Sequence, residues 1–230
     1  MSLTMYKPLR FEMKSNPETS DTADVYIYDY VGENWLDTEG NVSTANAFRK
    51  VLDEAGSVKK LNLHVNSCGG ACDDGVAIYS MLQQHPAEKT AYVEGYACSI
   101  ASLIVSACDK VVMSRASAMQ IHNAITFAYG NARSMRAMAD TLDKITEGIK
   151  AAYLDRAGDK LTAEKLTKLM DGKDGDGTWL TAEECIQYGL CDEIYGKAKD
   201  AEPEPTPTTT PEPVPQDKTK IVNTFRAFML

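Results

Sequence analysis

Leu61-Asn62-Leu63-His64-Val65, Asn66-Ser67-Cys68-Gly69-Gly70-Ala71 and the stretch Asp74 to Gln84 read in succession as strand, glycine turn and helix. An alternating β-type run ends at a pair of glycines, and Val76, Ile78, Tyr79 and Leu82 then recur at helical spacing until Pro86 stops them. The pattern is repeated on both sides. Val25 to Val31 reads as a strand before a helix at about Ser43 to Ala55, and Thr90 to Glu94 as a strand before Gly95-Tyr96-Ala97-Cys98-Ser99-Ile100-Ala101 and a buried small-residue helix, Cys98 to Cys108. Lys110–Met113 and Ala118–Ile121 read as further short strands. Alternation of this kind predicts parallel pairing with helical crossovers, and 230 residues at 43% apolar content suffice for one α/β domain. The glycine turn, Ser99 and His122 all fall at carboxyl ends of strands, where active sites of layered α/β folds gather.

The second half predicts a long helix from Ala132 to Ala157, with Met135, Met138, Leu142, Ile145, Ile149 and Ala152 spaced by three and four. Periodicity alone leaves two readings open for this seam: packing against another helix, or docking on its own domain. Thr162 caps a short helix, Thr181-Ala182-Glu183-Glu184 is a capping box whose helix stops at Gly189, and Ile194-Tyr195 closes the fold. The expected organisation is an N-terminal extension (1–24), one domain (25–198), a Pro/Thr/Glu-rich disordered tail (199–218) and an apolar C-terminal segment (219–230). That last segment reads either as a tethered docking peptide or as a frayed end.

The formal charge of −9 argues against a nucleic-acid or anionic-membrane partner, and the scattered acidic residues read as a solvated surface. Most of the six cysteines lie in apolar stretches, which predicts reduced thiols and a cytoplasmic setting. His64, Cys68 and Cys72 fall four apart, yet Cys68 sits in a glycine turn and no fourth ligand is evident, so no metal is expected. The N-terminus carries no signal-type segment, and no apolar run reaches membrane-spanning length.

Ser99 follows a strand ending in Gly95 and precedes an apolar helix, where helix N–H groups favour developing negative charge. Alone this is a weak signal, because Ser102 and Ser106 share the stretch and serines commonly pack helices. His122 is the histidine that ends a strand beside a polar loop, while His64 lies within a strand and His85 precedes a proline. Gly69 and Gly70 can present N–H groups to an oxyanion, although a Gly-Gly pair is more often only a turn.

The spacing joins these signals. Asn-Ser-x-Gly-Gly, Ser99 29 positions after Gly70, and Ile-His a further 23 on resemble the proteolytic subunit of the Clp protease family. The likeness extends through Ala77-Ile78-Tyr79, Thr181 to Glu184 and Tyr188-Gly189-Leu190-Cys191-Asp192, with Trp179 to Glu184 similar to the phage and prophage branch. It implies a cofactor-free serine endopeptidase with a crotonase-like spiral of short parallel strands and a projecting handle helix, Ala132 to Ala157, working as a self-assembled homo-oligomeric ring on unfolded or scaffold polypeptides. Ser99 matches the nucleophile, His122 the general base, and the N–H groups of Gly70 and Ile100 the oxyanion hole. Gly69, Ala71, Asn123, Ala124 and Ile125 fall where the substrate binds. The third triad member falls among Asp171, Asp174 and Asp176. Asp171 is preferred because it follows directly on an apolar helix end, whereas the other two sit among glycines.

Three departures stand out. Cys68 replaces the family's proline, Asn123 to Gly130 replaces a more glycine- and proline-rich segment, and the chain before Val25 lacks the loops that engage a ring ATPase. The alternating run from Asn123 can still pair with an extended peptide. Rival readings are a serine–lysine signal-peptide peptidase, acyl-CoA chemistry on the same fold, an inactive relative retained for assembly, and a phage head-maturation protease acting without an ATPase.

Overall fold

A computed structural model describes residues 12–13, 21–33 and 42–196. The expectations for the extension 1–24 fall mostly outside these residues, and those for the tail and the apolar segment fall wholly outside. The described residues belong to one compact unit, whose order is β1 (Glu12–Met13), β2 (Thr22–Ile27), β3 (Gly32–Glu33), β4 (Val42–Ser43), α1 (Ala45–Ala55), β5 (Lys60–Ser67), α2 (Cys72–Gln84), β6 (Glu88–Cys98) and α3 (Ile100–Ser106). It continues with β7 (Lys110–Ser114), β8 (Ala118–Ile121), α4 (Ala132–Ala157), a 3-10 turn (Gly158–Lys160), α5 (Ala163–Asp171), β9 (Thr178–Thr181), α6 (Ala182–Gln187) and β10 (Glu193–Tyr195).

The main sheet runs β1-β2-β5-β6-β7-β10, parallel except for the edge pair β1–β2. Strand β6 divides it. Thr90 to Val93 pair with β7, whereas Tyr96 to Cys98 pair with β8, which β9 then joins antiparallel. On the other side of β6 the register jumps from Val65↔Val93 to Ser67↔Ala97, and the Asn66 carboxamide oxygen fills the gap by accepting from the Tyr96 N–H at 3.1 Å. Leu61, Leu63 and Val65 of β5 and Ala91 and Val93 of β6 point into one core against Phe48, Ile78 and Leu82, and every residue of α3 is buried within it. This is the mixed α/β architecture of parallel strands and helical crossovers that the repeated pattern predicts.

Several boundaries differ from the sequence expectation. The first strand ends at Ile27 rather than Val31, because the Asp29 carboxylate accepts the Tyr30 N–H and the Ser67 hydroxyl donates to the Asp29 carbonyl, which turns the chain out of the ladder. Val31 returns as an isolated bridge to Gly70. Strand β6 runs on to Cys98, so the helix expected from Cys98 begins at Ile100. Helix α1 starts at Ala45 behind a Thr44 cap, and α2 starts at Cys72 rather than Asp74. Strand β9 was not anticipated: Trp179 and Leu180 pair with Gln120 and Met119 before the predicted capping box opens α6 at Thr181.

Helix α4 has the predicted bounds, but its seam is divided. Ile149, Ala152, Tyr153 and Ala157 are buried in their own domain, which for these residues settles the docking question in favour of the domain. Leu142 and Ile145 are half-buried, and Ala132 to Asp140 project, with Met135 and Met138 exposed. All six cysteines are free. Among the described residues no helix is long and apolar enough to cross a membrane.

Candidate active site

Ser99 occupies the single-residue turn between β6 and α3 with φ 55° and ψ −130°. It is the only non-glycine residue of positive φ among those described. An L-residue held there costs on the order of 1–3 kcal/mol, so the surroundings must over-determine it. They do so on three sides. The Ser99 N–H donates to the Gln120 carbonyl at 2.9 Å, α3 is buried along its whole length, and the Asn66–Ala71 turn packs directly beneath. Gly69 (φ 91°) lies so close that a Cβ there would stand 2.7 Å from the Ser99 Cβ and 2.6 Å from the Cys98 carbonyl. Glycine is therefore required at Gly69 by space as well as by conformation.

The same turn aims a donor. The bridge to Val31 uses the carbonyl of Gly69 (2.9 Å) and the N–H of Ala71 (2.7 Å), which leaves the N–H of Gly70 on the opposite side of the chain. The N–H of Ile100, first in its helix, has no intrahelical acceptor. Gly70 and Ile100 line one cleft of about 50 Å³ with Ser99, His122, Asn123, Ala124 and Ile125. Cys72 and, from α4, Ile149 and Tyr153 complete its wall.

His122 follows the last residue of β8 and is half-buried. Its Nδ1 lies 2.6 Å from the Asn123 carbonyl, and because a carbonyl only accepts, Nδ1 carries the hydrogen. The neutral ring therefore has its lone pair on Nε2, the tautomer that a base requires. Among the described residues no hydrogen bond joins His122 to Ser99 or to Asp171. Asp171 ends α5, and its Oδ1 accepts from the Asn123 carboxamide at 2.8 Å. Asn123 thus stands between the two, giving its carbonyl to His122 and its N–H to Asp171, while its own Oδ1 is buried without a partner. Asp174 and Asp176 lie exposed in the turn that a Gly172–Gly177 bridge closes.

The structure therefore brings Ser99, His122, Gly70, Ile100, Asn123, Ala124 and Ile125 to one cleft and places Asp171 one side chain away. Gly69 and Ala71 do not line the cleft; their polar groups go to Ser67, Val31 and Gly75. Sequence reasoning did not assign Tyr153, Ile149 or Cys72 to the cleft: Ile149 read only as part of the α4 seam and Cys72 only as part of a rejected metal spacing. The first two had a signal, since they fall four apart on the inward face of α4. Thr146, on the same face, accepts the Ala124 N–H at 3.0 Å and pins the chain where it leaves His122.

The two nearby thiols are poor nucleophiles. Burial, with the neighbouring Cys68, pushes Cys98 up to about 12, and burial with Asp73 raises Cys72. Both stay protonated at neutral pH, which leaves a hydroxyl and an imidazole as the reactive groups of the cleft.

An α/β fold thus gathers a strained serine between strand and helix, the backbone of Gly70 and Ile100 and a histidine protonated on Nδ1 in one cleft. The family model for Clp protease matches residues 36–198, and the chain belongs to that family of peptidases. Two relatives, both named ATP-dependent Clp protease proteolytic subunit and from two strains of Bacteroides fragilis, are 27% identical over 165 residues, covering 70% of this chain and 77% and 72% of their own.

Proposed function

We propose that this protein is a serine endopeptidase that hydrolyses peptide bonds of unfolded or scaffold polypeptides within a self-assembled ring. The observation that carries this reading is Ser99 held at φ 55° in a cleft shared with His122, Gly70 and Ile100. His122 Nε2 takes the hydroxyl proton as Ser99 Oγ bonds to the scissile carbonyl carbon, and the carbonyl electron pair becomes an oxyanion received by the N–H groups of Gly70 and Ile100. Collapse expels the amine, which takes the proton from His122, and water repeats the sequence to release the acid. Asp171 is the carboxylate that steadies the imidazolium, reached when the Asn123 carboxamide releases it and the Asn123 backbone carbonyl leaves His122 Nδ1. The run from Asn123 to Ile125 borders the cleft and becomes exposed at Ile125, where its backbone is offered to an extended substrate.

Ring assembly is supported by the exposed apolar residues of one region: Ile125, Phe127 and Tyr129 in the segment leading to α4, and Met135 and Met138 on α4 itself. The test combines a fluorophosphonate probe with size-exclusion chromatography and light scattering. Stoichiometric labelling at Ser99 in an assembled species is expected. A second reading, an inactive relative retained for assembly, is favoured by the Asn123 carbonyl occupying His122 Nδ1; an assembled but unlabelled protein would establish it.

A further inference from the structure

Beneath the cleft lies a chain of hydroxyl groups that the mechanism above does not use. The Tyr153 hydroxyl, at the buried root of α4, is 2.6 Å from Ser102 Oγ, and Ser102 Oγ is 2.5 Å from the Ser99 carbonyl oxygen. Both side chains are 1% exposed. Each of these short oxygen–oxygen contacts needs a proton between its atoms, and two hydroxyls supply two. A carbonyl has none to give, so Ser102 must donate to Ser99, and Tyr153 must donate to Ser102. Burial raises the Tyr153 phenol well above its ordinary value and keeps its proton in place. The longer approach of Ser102 Oγ to the Gln120 carbonyl, 3.3 Å, is secondary.

The direction of this chain matters because the Ser99 carbonyl and the Ile100 N–H belong to one peptide plane. In a trans peptide the two groups point in opposite directions. Holding the carbonyl inward on Ser102 therefore turns the Ile100 N–H outward, into the cleft where the oxyanion forms. The ψ of Ser99 is the torsion that this bond holds, together with the Ser102 N–H, which donates to the same carbonyl at 3.0 Å, and it adjoins the strained φ of 55°.

We propose that Tyr153 and Ser102 are positioning residues for the reaction, a two-hydroxyl relay from α4 that locks the Ser99–Ile100 peptide so that its N–H faces the oxyanion. This rests on the reading of Ser99 as the nucleophile. Hydrogen bonds in series polarise one another, so loss of the outer hydroxyl weakens the inner bond.

The experiment uses the full chain and its Tyr153→Phe, Ser102→Ala and double variants, each single change removing one oxygen from a buried side chain. Fluorophosphonate acylation rate, kcat and KM for a peptide substrate, and melting temperature are measured on each. Removing an oxyanion donor outright costs about a hundred- to a thousandfold in turnover, and misaiming one costs a part of that. The expected result is an acylation rate and kcat about tenfold lower in Tyr153→Phe and lower still in Ser102→Ala, with KM within about twofold and the double variant no worse than Ser102→Ala. Singles that acylate at the wild-type rate overturn the relay, as do singles that lose only melting temperature or losses that multiply in the double variant. A wild-type protein unlabelled at Ser99 would instead remove the nucleophile reading, and the relay with it.

Discussion

The two walls of the cleft are built by different means. The Ser99 wall is made by the core: a buried helix, a glycine turn pressed beneath it, a strand ladder on each flank of β6 and a hydroxyl chain behind. The His122 wall is made by a strand end and two loops, with Asn123 as the piece that touches both His122 and Asp171. Buried apolar packing fixes the first; in the second Gly177 presses on the Ile121–His122 backbone, while the His122 ring and the Asp171 carboxylate depend on single hydrogen bonds beside the exposed run Ile125 to Gly130. A fold can store strain where packing is dense, but it can leave adjustable what lies next to an unpartnered surface. On the proposed reading, Ser99 is thus set by folding, and His122 is the group left to be set by substrate or assembly.

The largest effect expected is at the rigid wall. Ser99→Ala should lower peptide hydrolysis by about a millionfold while leaving assembly unchanged, measured by turnover and light scattering. Ser99→Gly should be equally inactive yet more stable than Ser99→Ala by about 1 kcal/mol in urea unfolding, since relief of on the order of 1–3 kcal/mol of strain exceeds the entropy cost of glycine. Equal stability of the two variants would mean that the wall stores no strain, and the contrast between the walls would lose its basis.

At the adjustable wall, Asp171→Asn should cost about ten-thousandfold in kcat, the scale expected when a triad carboxylate is neutralised. Asp174→Asn and Asp176→Asn, whose side chains are exposed, should stay near wild type. Asn123→Ala sharpens the point, because it frees the Asp171 carboxylate from its present donor. If Asp171→Asn retained near-normal turnover, the two walls would not be linked through this residue.

Assembly comes next in size. Leu142 is half-buried and Ile145 packs half-buried against the core, so aspartate at these positions would confuse folding with association. Met135 and Met138 are exposed and separate the two. Met135→Asp with Met138→Asp should leave the melting temperature of the isolated chain unchanged and shift light-scattering mass to smaller species. A wild-type chain monomeric at micromolar concentration would contradict the ring reading.

The rigid wall was the more legible in sequence. Strand-turn-helix order, the glycine pair and Ser99 at a helix start are local features, and α4 and the capping box at Thr181 were read to the residue. What escaped depended on contacts distant in sequence. Strand β9 exists because β8 offers an edge to Trp179 and Leu180, which no local pattern announces. The early end of the first strand arises from Ser67, 38 positions beyond Asp29. The Tyr153 to Ser102 contact spans 51 positions, and serines in a small-residue helix had read only as packing. Asn123 drew notice as a departure from the family, but its two partners lie in the fold rather than in the motif.

The smallest effect probes the rigid wall through its thiols. Cys98 precedes Ser99 and Cys108 follows α3, so the pair brackets the nucleophile helix. Burial, the dominant cause, pushes Cys108 up to about 12 from the usual thiol value near 9, against weaker opposition from Lys89 and Arg156. A group whose folded value is raised contributes stability that is whole below the unfolded value and is lost as pH climbs toward the folded one. Between pH 9 and 12 the unfolded chain ionises this thiol while the native state keeps it protonated, so it alone should lower stability by about 1.4 kcal/mol per pH unit. Cys108→Ala removes that contribution. It should be less stable than wild type at pH 7 by about 1 kcal/mol through the lost sulfur, yet decline less steeply from pH 9 to 11, so that the two curves of urea midpoint against pH converge. Parallel curves would show that Cys108 ionises as readily in the fold as outside it, and the dense packing ascribed to the Ser99 wall would then not extend to the far end of its helix.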